Sequence, residues 1–309
     1  MSFITALLNS LPGAAAQGLI WGLMAIGVYI TFRILDIADL TVDGSFATGG
    51  AVAVMLIRAG VNPWLALLGA FAAGMLAGLV TGLFTTRCGI PAILAGILTQ
   101  LALYSVNLRI LGGKANQAVG VDKYPLLVSQ RYVRDLTLKN PLPLLLVFVA
   151  VVVLLLYWFF GTERGCALRA TGANPAMARA QGISTKSCVV LGLMLSNGLV
   201  ALSGALLAQF QGAADVNMGR GAIVIGLAAV IIGEVVFGKL FRNFALKLVA
   251  VAIGAVIYYL VLQLVLQLGL NTNDLKLLTA LIVALFLSVP HWKNKLHHTR
   301  QKKEAAPHA

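Results

Sequence analysis

Apolar stretches recur along the whole chain, each close to the ~20 residues that an α-helix needs to cross a bilayer. This pattern constrains the fold more than any other feature. The residues between the stretches cannot make the chain soluble. Only 11% of the 309 residues are charged and 60% are hydrophobic, against roughly 25% charged in a soluble domain. With a mean hydropathy of +0.92, such a surface cannot be solvated by water. The expected class is an all-α integral membrane protein.

About nine transmembrane helices are expected, within a range of eight to ten. They fall near 14–32, 44–58, 64–86, 91–111, 141–160, 187–210, 221–238, 246–268 and 275–290. Pro12, Pro63, Pro91 and Pro141 stand at or just before span starts, where a missing N–H costs least. The glycine-containing spans 44–58 and 221–238 are short. In transporters, short or broken helices line pathways, because irregular backbone survives only where protein or water shields it from lipid. Residues 1–290 form one polytopic domain, and 291–309 a basic tail. Met1 to Gly18 lacks a basic start and reads as an interfacial lead-in rather than a cleaved signal peptide.

The net charge of +13 does not indicate nucleic-acid binding. Lys and Arg lie between the spans and in the tail, where they set topology and meet anionic lipid. Lys293, Lys295, Arg300, Lys302 and Lys303 place the tail in the cytoplasm. The loop 161–186, with Arg164, Arg169, Arg179 and Lys186, then also lies inside, as does the stretch around Lys239, Arg242 and Lys247. Nine spans leave the N-terminus outside. Segment 112–140 runs against this, carrying Lys114, Lys123, Arg131, Arg134 and Lys139 outside. It is long and partly balanced by Asp122 and Asp135, and long segments follow the rule less strictly. Cys88, Cys166 and Cys188 are widely spaced and read as packing residues.

Three polar stretches interrupt the apolar sequence. The first holds Asp36, Asp39 and Asp43, followed by Ser45. Asp43 or Ser45 can cap the next helix; alternatively, the stretch is a broken-helix element beside a pathway. The Asp36–Asp39–Asp43 spacing also fits a Mg²⁺–diphosphate site of a membrane prenyltransferase. That reading needs a second acidic cluster, which the chain lacks, and Leu35 stands where an Asn is usual. The second stretch is 161–186. Asn174-Pro175 reads as an N-cap with proline in the first turn, Ala176 to Gln181 as helix and Gly182 as its stop. The third is 209–242, where Gln209, Gln211, Asp215, Asn217 and Arg220 form a polar outer turn. Glu234 then sits within a short span, either functional or paired with Lys239 or Arg242. Other polar residues in spans are Gln100, Asn107, Asn197, Gln263 and Gln267. They suit amino acids, small aromatics or sugars.

The pattern Arg169, Ala170, Gly172, Asn174, Ala178, Gly182, Ile183 resembles the cytoplasmic coupling segment of the branched-chain amino acid and ribose permease family of ABC importers. Gly22 to Gly27 and the Asp-rich turn extend the resemblance over nearly the whole chain. Ile-Ala-Asp-Leu-Thr-Val-Asp-Gly-Ser at 37–45 resembles permeases paired with tryptophan- or tyrosine-type binding lipoproteins. The chain begins where sugar permeases of the family have their second span, which agrees with nine spans and an outside N-terminus.

The resemblance implies a multi-pass permease subunit of a bacterial inner-membrane importer, with no cofactor and no catalytic residue. Its partners would be two copies of an ABC ATPase subunit, a second permease copy and an extracytoplasmic substrate-binding protein. The ATPase would engage Arg169, Gly172, Asn174, Ala178 and Gly182, and the binding protein would contact 112–135 and 211–220. Path candidates are Asp36, Asp39, Asp43, Ser45, Gln100, Asn107, Asn197 and Glu234. No G-x-x-x-x-G-K-[ST] loop is present for nucleotide phosphates. No H-E-x-x-H or Ser/His/Asp set occurs either, and the histidines lie only in the tail. The rival reading is an ion-coupled secondary transporter, which needs ionisable groups deep in spans. Most acids here lie in loops or near span ends.

Overall fold

The computed structural model describes residues 3–120, 123–133, 140–238, 240–241, 243–267, 277, 279–281, 283–285 and 288. Ten α-helices dominate. They are α1 Phe3–Tyr29, α2 Val42–Arg58, α3 Pro63–Thr86, α4 Ala92–Ile110, α5 Pro141–Gly161, α6 Glu163–Ala173, α7 Pro175–Ala180, α8 Thr185–Gln211, α9 Ala222–Phe237 and α10 Phe244–Gln267. Among the described residues, six helical segments are long and apolar enough to cross a membrane: 10–34, α3, α4, α5, α8 and α10. At 17 and 16 residues, α2 and α9 are shorter. Half of the expected span at 275–290 falls outside the described residues.

Local chemistry sets the helix starts. The Asn62 side chain accepts the Trp64 N–H at 3.0 Å with Pro63 in the first turn. Asn140 and Pro141 repeat this for α5, where the Leu142 N–H donates at 3.0 Å. Pro91 is the N-cap residue of α4. Pro12 departs from the expectation, because it lies inside α1. The lead-in and the first span are one continuous helix, and the missing N–H is tolerated within it. The end of α1 widens into a π-helical turn at Ile30–Ile34. It closes with Asp36 in the left-handed region at φ 55 and the Ile37 N–H on the Thr31 carbonyl at 2.9 Å.

The core is built around two helices. About three quarters of segment 10–34 and of α8 is buried, against about a third of α4 and α5. Accordingly, α8 packs on α1, α2 and α3, while α10 packs on α1 and α9. Such packing between apolar helices depends on close backbone approach and on hydrogen bonds. Both occur here. A Cβ at Gly49 of α2 would overlap the Ala201 carbonyl of α8. Ser196 and Ser203 of α8 donate to the Gly27 and Ile20 carbonyls of α1, each at 2.7 Å. Outward, Leu68, Leu101, Leu146, Leu154 and Trp158 are exposed on α3, α4 and α5. In water that surface would aggregate; against lipid tails it carries no penalty.

The fold is not purely α. Strands β1 Asn116–Ala118 and β2 Ala213–Asp215 pair antiparallel, with Asn116 opposite Asp215. This ribbon ties the segment after α4 to the segment after α8. Both belong to the stretches expected on the outer face.

Candidate functional site

The two short helices place the polar residues. The ribbon follows the end of α8 and α7 precedes its start, so these elements mark opposite ends of the bundle. At the ribbon end, the Arg58 side chain of α2 reaches the Ala118 carbonyl at 3.5 Å. At the other end, Glu234 of α9 pairs with Arg33, next to the packing of α6 on Ile34. Thus α2 and α9 run to opposite ends, and they start together in the interior. Their junction is Asp43. Its carboxylate accepts the N–H groups of Gly221 at 2.9 Å and Ile223 at 3.0 Å. Asp43 lies in the first turn of α2 while capping α9, so two helix N-termini converge on one anion. Capping was expected from Asp43, but of its own helix. The recipient is 178 residues away.

Near the middle of α8, Asn197 organises a second cluster. Its amide donates to Asp39 at 2.7 Å and to the Leu193 carbonyl at 3.0 Å. Its carbonyl oxygen accepts from Ser45 at 2.6 Å. Asp39 also accepts the Thr41 N–H at 2.9 Å, and Asp39, Ser45 and Asn197 are all buried. Next to it runs a hydroxyl chain, with Thr41 on Thr81 at 2.7 Å and Thr81 on Thr99 at 2.9 Å. Each polar group in this hub has a partner, as buried groups in lipid require.

A third group is open. A cavity of about 300 Å³ lies between α2, α4 and the turn leading into α9. It is lined by Asp43, Gln100, Tyr104, Asn107, Asn217 and Arg220. Gln263, on α10, lines a separate cavity of about 390 Å³ with Gln17 and Gln130.

Of the path candidates, the structure therefore joins Asp39, Ser45 and Asn197 in one place and Asp43, Gln100 and Asn107 in another. Asp36 is exposed at the turn after α1. Glu234 joins neither group. Arg33 Nε donates to its Oε1 at 2.8 Å, and Arg33 Nη2 closes the other arm. Its partner is thus Arg33, whereas Lys239 and Arg242 lie outside the described residues. Sequence reasoning missed the three threonines. Thr81 and Thr99 also bond carbonyls one turn back, as any helical threonine can, so the sequence carries no mark of their tertiary role.

In the 161–186 segment, Asn174 accepts the N–H groups of Ala176 and Met177, each at 3.1 Å, with Pro175 in the first turn. Gly182 follows at φ 78. This agrees with the reading from residues 174–182. The preceding stretch, read as loop, is helix α6, started by Thr162 and Glu163. Gly172 on α6 faces inward, and a Cβ there would overlap the Ile34 carbonyl. Arg169 lies over the Phe244 ring at 5.5 Å. Ala178 is buried, whereas Met177 and Arg179 are exposed. Cys88 and Cys166 are exposed, against their expected role in packing.

Residues 10–289 match the model of the family described as branched-chain amino acid transport system / permease component. The chain is 39% identical to a tyrosine transport system permease protein of Clostridioides difficile (strain R20291), covering 96% of each chain. It is 37% identical to an uncharacterized protein of Rickettsia prowazekii (strain Madrid E), over 91% of this chain and 98% of that one. With a ribose import permease protein of Escherichia coli (strain K12) it shares 26% identity, over 88% and 79% of the two chains. An ABC permease of this kind works with an ATPase and a binding protein and is not itself an enzyme. The chain belongs to the branched-chain amino acid transport system permease family and is a multi-pass inner-membrane permease subunit of an ABC importer.

Proposed function

We propose that this permease imports an amino acid of the aromatic type, delivered by an extracytoplasmic binding protein and driven by a separate ATPase. The observation that carries the substrate class is the 39% identity to a tyrosine permease along 96% of both chains. Two copies form the translocation unit, and two ATPase subunits grip them from the cytoplasm. Each copy has nine spans, with the N-terminus outside and the basic tail inside.

The coupling element is α6 with α7. Arg169, Gly172, Asn174, Ala178 and Gly182 shape it, and Met177 and Arg179 offer an exposed face. The Gly172 contact at Ile34 ties this element to the end of α1. The ribbon end, with 112–135 and 211–220, receives the binding protein. The path runs past Asp43, Gln100 and Asn107, with the Asp39–Ser45–Asn197 hub as its fixed wall. Asp36 and Glu234 lie at its cytoplasmic mouth. A permease of this type needs two alternative packings rather than a reacting group.

The test is uptake of radiolabelled L-tyrosine into proteoliposomes holding the permease, its ATPase and its binding protein. Uptake should require ATP on the ATPase side and persist without an ion gradient. Uptake driven by a proton or sodium gradient in ATP-depleted vesicles would instead establish the secondary-transporter reading. ATP-driven uptake of a sugar but of no amino acid would overturn the substrate class.

A further inference from the structure

The cavity at the start of α2 and α9 differs from the hub around Asn197 in one respect: two of its polar side chains, Asn107 and Arg220, keep unpartnered groups. Asn107 is 1% exposed, yet its Oδ1 has no hydrogen-bond partner, and its amide reaches the Gly44 carbonyl only at 3.5 Å. A buried acceptor left unmade costs free energy; the Trp21 Nε1, Gln209 Nε2 and Tyr258 hydroxyl are also unpartnered, but none of them lines this cavity. Across the same cavity, the Arg220 guanidinium has no ion-pair or hydrogen-bond partner among the described residues. The Asp43 carboxylate is aimed by Gly221 and Ile223, and a carboxylate retains acceptor capacity beyond two such bonds. Leu101 and Tyr104 supply an apolar wall. At about 300 Å³ the space is at the small end for ligand sites, the size of a single amino acid.

We infer that this cavity is a binding subsite for a zwitterionic α-amino acid on its way through the permease. Arg220 takes the α-carboxylate in a forked pair, the geometry for which a guanidinium is suited. Asn107 Oδ1 and the free face of Asp43 take the α-ammonium. The side chain lies along Leu101 and Tyr104. This rests on the proposed path through Asp43, Gln100 and Asn107, and adds the chemistry that selects what enters it. The site requires both ends of the zwitterion, since either end alone leaves one buried or charged group unmatched.

The experiment uses the purified permease–ATPase complex in nanodiscs without binding protein, with ligand binding read by saturation-transfer NMR. The probes are the twenty standard amino acids, together with tyramine and 3-(4-hydroxyphenyl)propionate, which each lack one end of tyrosine. At least one aromatic amino acid should bind, and both truncated analogues should bind about tenfold or more weakly. Arg220→Gln and Asn107→Leu should each weaken amino-acid binding by about tenfold to a hundredfold. Circular dichroism and gel filtration of both variants check that the fold persists. For a variant that does not fold, Arg220→Lys and Asn107→Asp replace it, and both should retain partial binding.

Binding of no amino acid would overturn the inference, as would equal binding of the propionate. So would variants that bind like the wild type. ATP-driven uptake in proteoliposomes separates this outcome from failure of the permease reading. Unchanged uptake KM and rate in Arg220→Gln would remove the subsite while leaving the importer standing. Loss of all amino-acid uptake in the wild type would remove the proposed substrate class.

Discussion

Two groups of polar side chains lie inside this apolar chain, and they are built on opposite principles. Around Asn197, donors and acceptors are matched within the protein, with Asp39, Ser45 and the Leu193 carbonyl taking up the amide. Around Asn107, the same residue type is equally buried but leaves its oxygen empty. A matched network fixes how helices sit against one another; an unmatched group that lines a cavity is, on the subsite inferred above, left for a ligand. Polarity within a span therefore has two meanings, and hydrogen-bond satisfaction distinguishes them.

Substitutions at four sites, two of them with a companion variant, bear on this contrast. The largest effect belongs to Asn197→Ala. It strands Oδ2 of Asp39 and the Ser45 hydroxyl together, while Oδ1 keeps the Thr41 N–H, and should cost about 2–4 kcal/mol. The expected result is a marked fall in unfolding temperature and in monodisperse protein after detergent extraction. Wild-type stability in that variant would break the comparison at its root.

Next is Gly172→Leu, where the new side chain meets the Ile34 carbonyl. Overpacking there should cost about 1–3 kcal/mol, and ATP hydrolysis should continue without uptake. Met177→Ala on the exposed face of α7 provides the control. It should leave unfolding unchanged and weaken ATPase co-purification.

Asn107→Leu sharpens the comparison by its sign. Removing an unsatisfied buried acceptor should leave stability unchanged or raise it by up to about 1 kcal/mol, while transport falls. A melting temperature lowered as far as that of Asn197→Ala would show that Asn107 is structural too.

The smallest effect belongs to Glu234→Gln. Its pair with Arg33 is partly exposed, at 34% and 47% of the two side chains, and such pairs contribute about 0–1 kcal/mol. A double-mutant cycle with Arg33→Gln should return a coupling of that size.

What could be read in the sequence was what local chemistry decides. Asn174-Pro175 with Gly182 specified α7, because cap, first turn and stop lie within a few residues. Six long apolar runs announced six long helices in the same way. Contacts between distant segments carried no such mark. Asp43 looked like a cap and is one, but nothing near it names Gly221 as the recipient. Glu234 was noticed, whereas its partner Arg33 lies 201 residues away. Helix α6 was passed over as loop because its polar, glycine-bearing sequence lacks a strong apolar period, and it is held by packing on Ile34 and Phe244 instead. Gln100, Asn107 and Asn197 were all singled out as polar residues in spans. Their division into a filled hub and an open cavity depends on which neighbours the fold supplies.

The meeting of α2 and α9 at Asp43 also bears on how force can pass through the molecule. A single helix spanning the bilayer acts as a rigid rod, so displacing one end displaces the other. Here two short helices start at one point instead and are joined through a carboxylate and two N–H groups. Each helix can tilt about that pin while its far end stays seated. The two ends of the bundle, one marked by the ribbon and the other by α7, are then free to move separately.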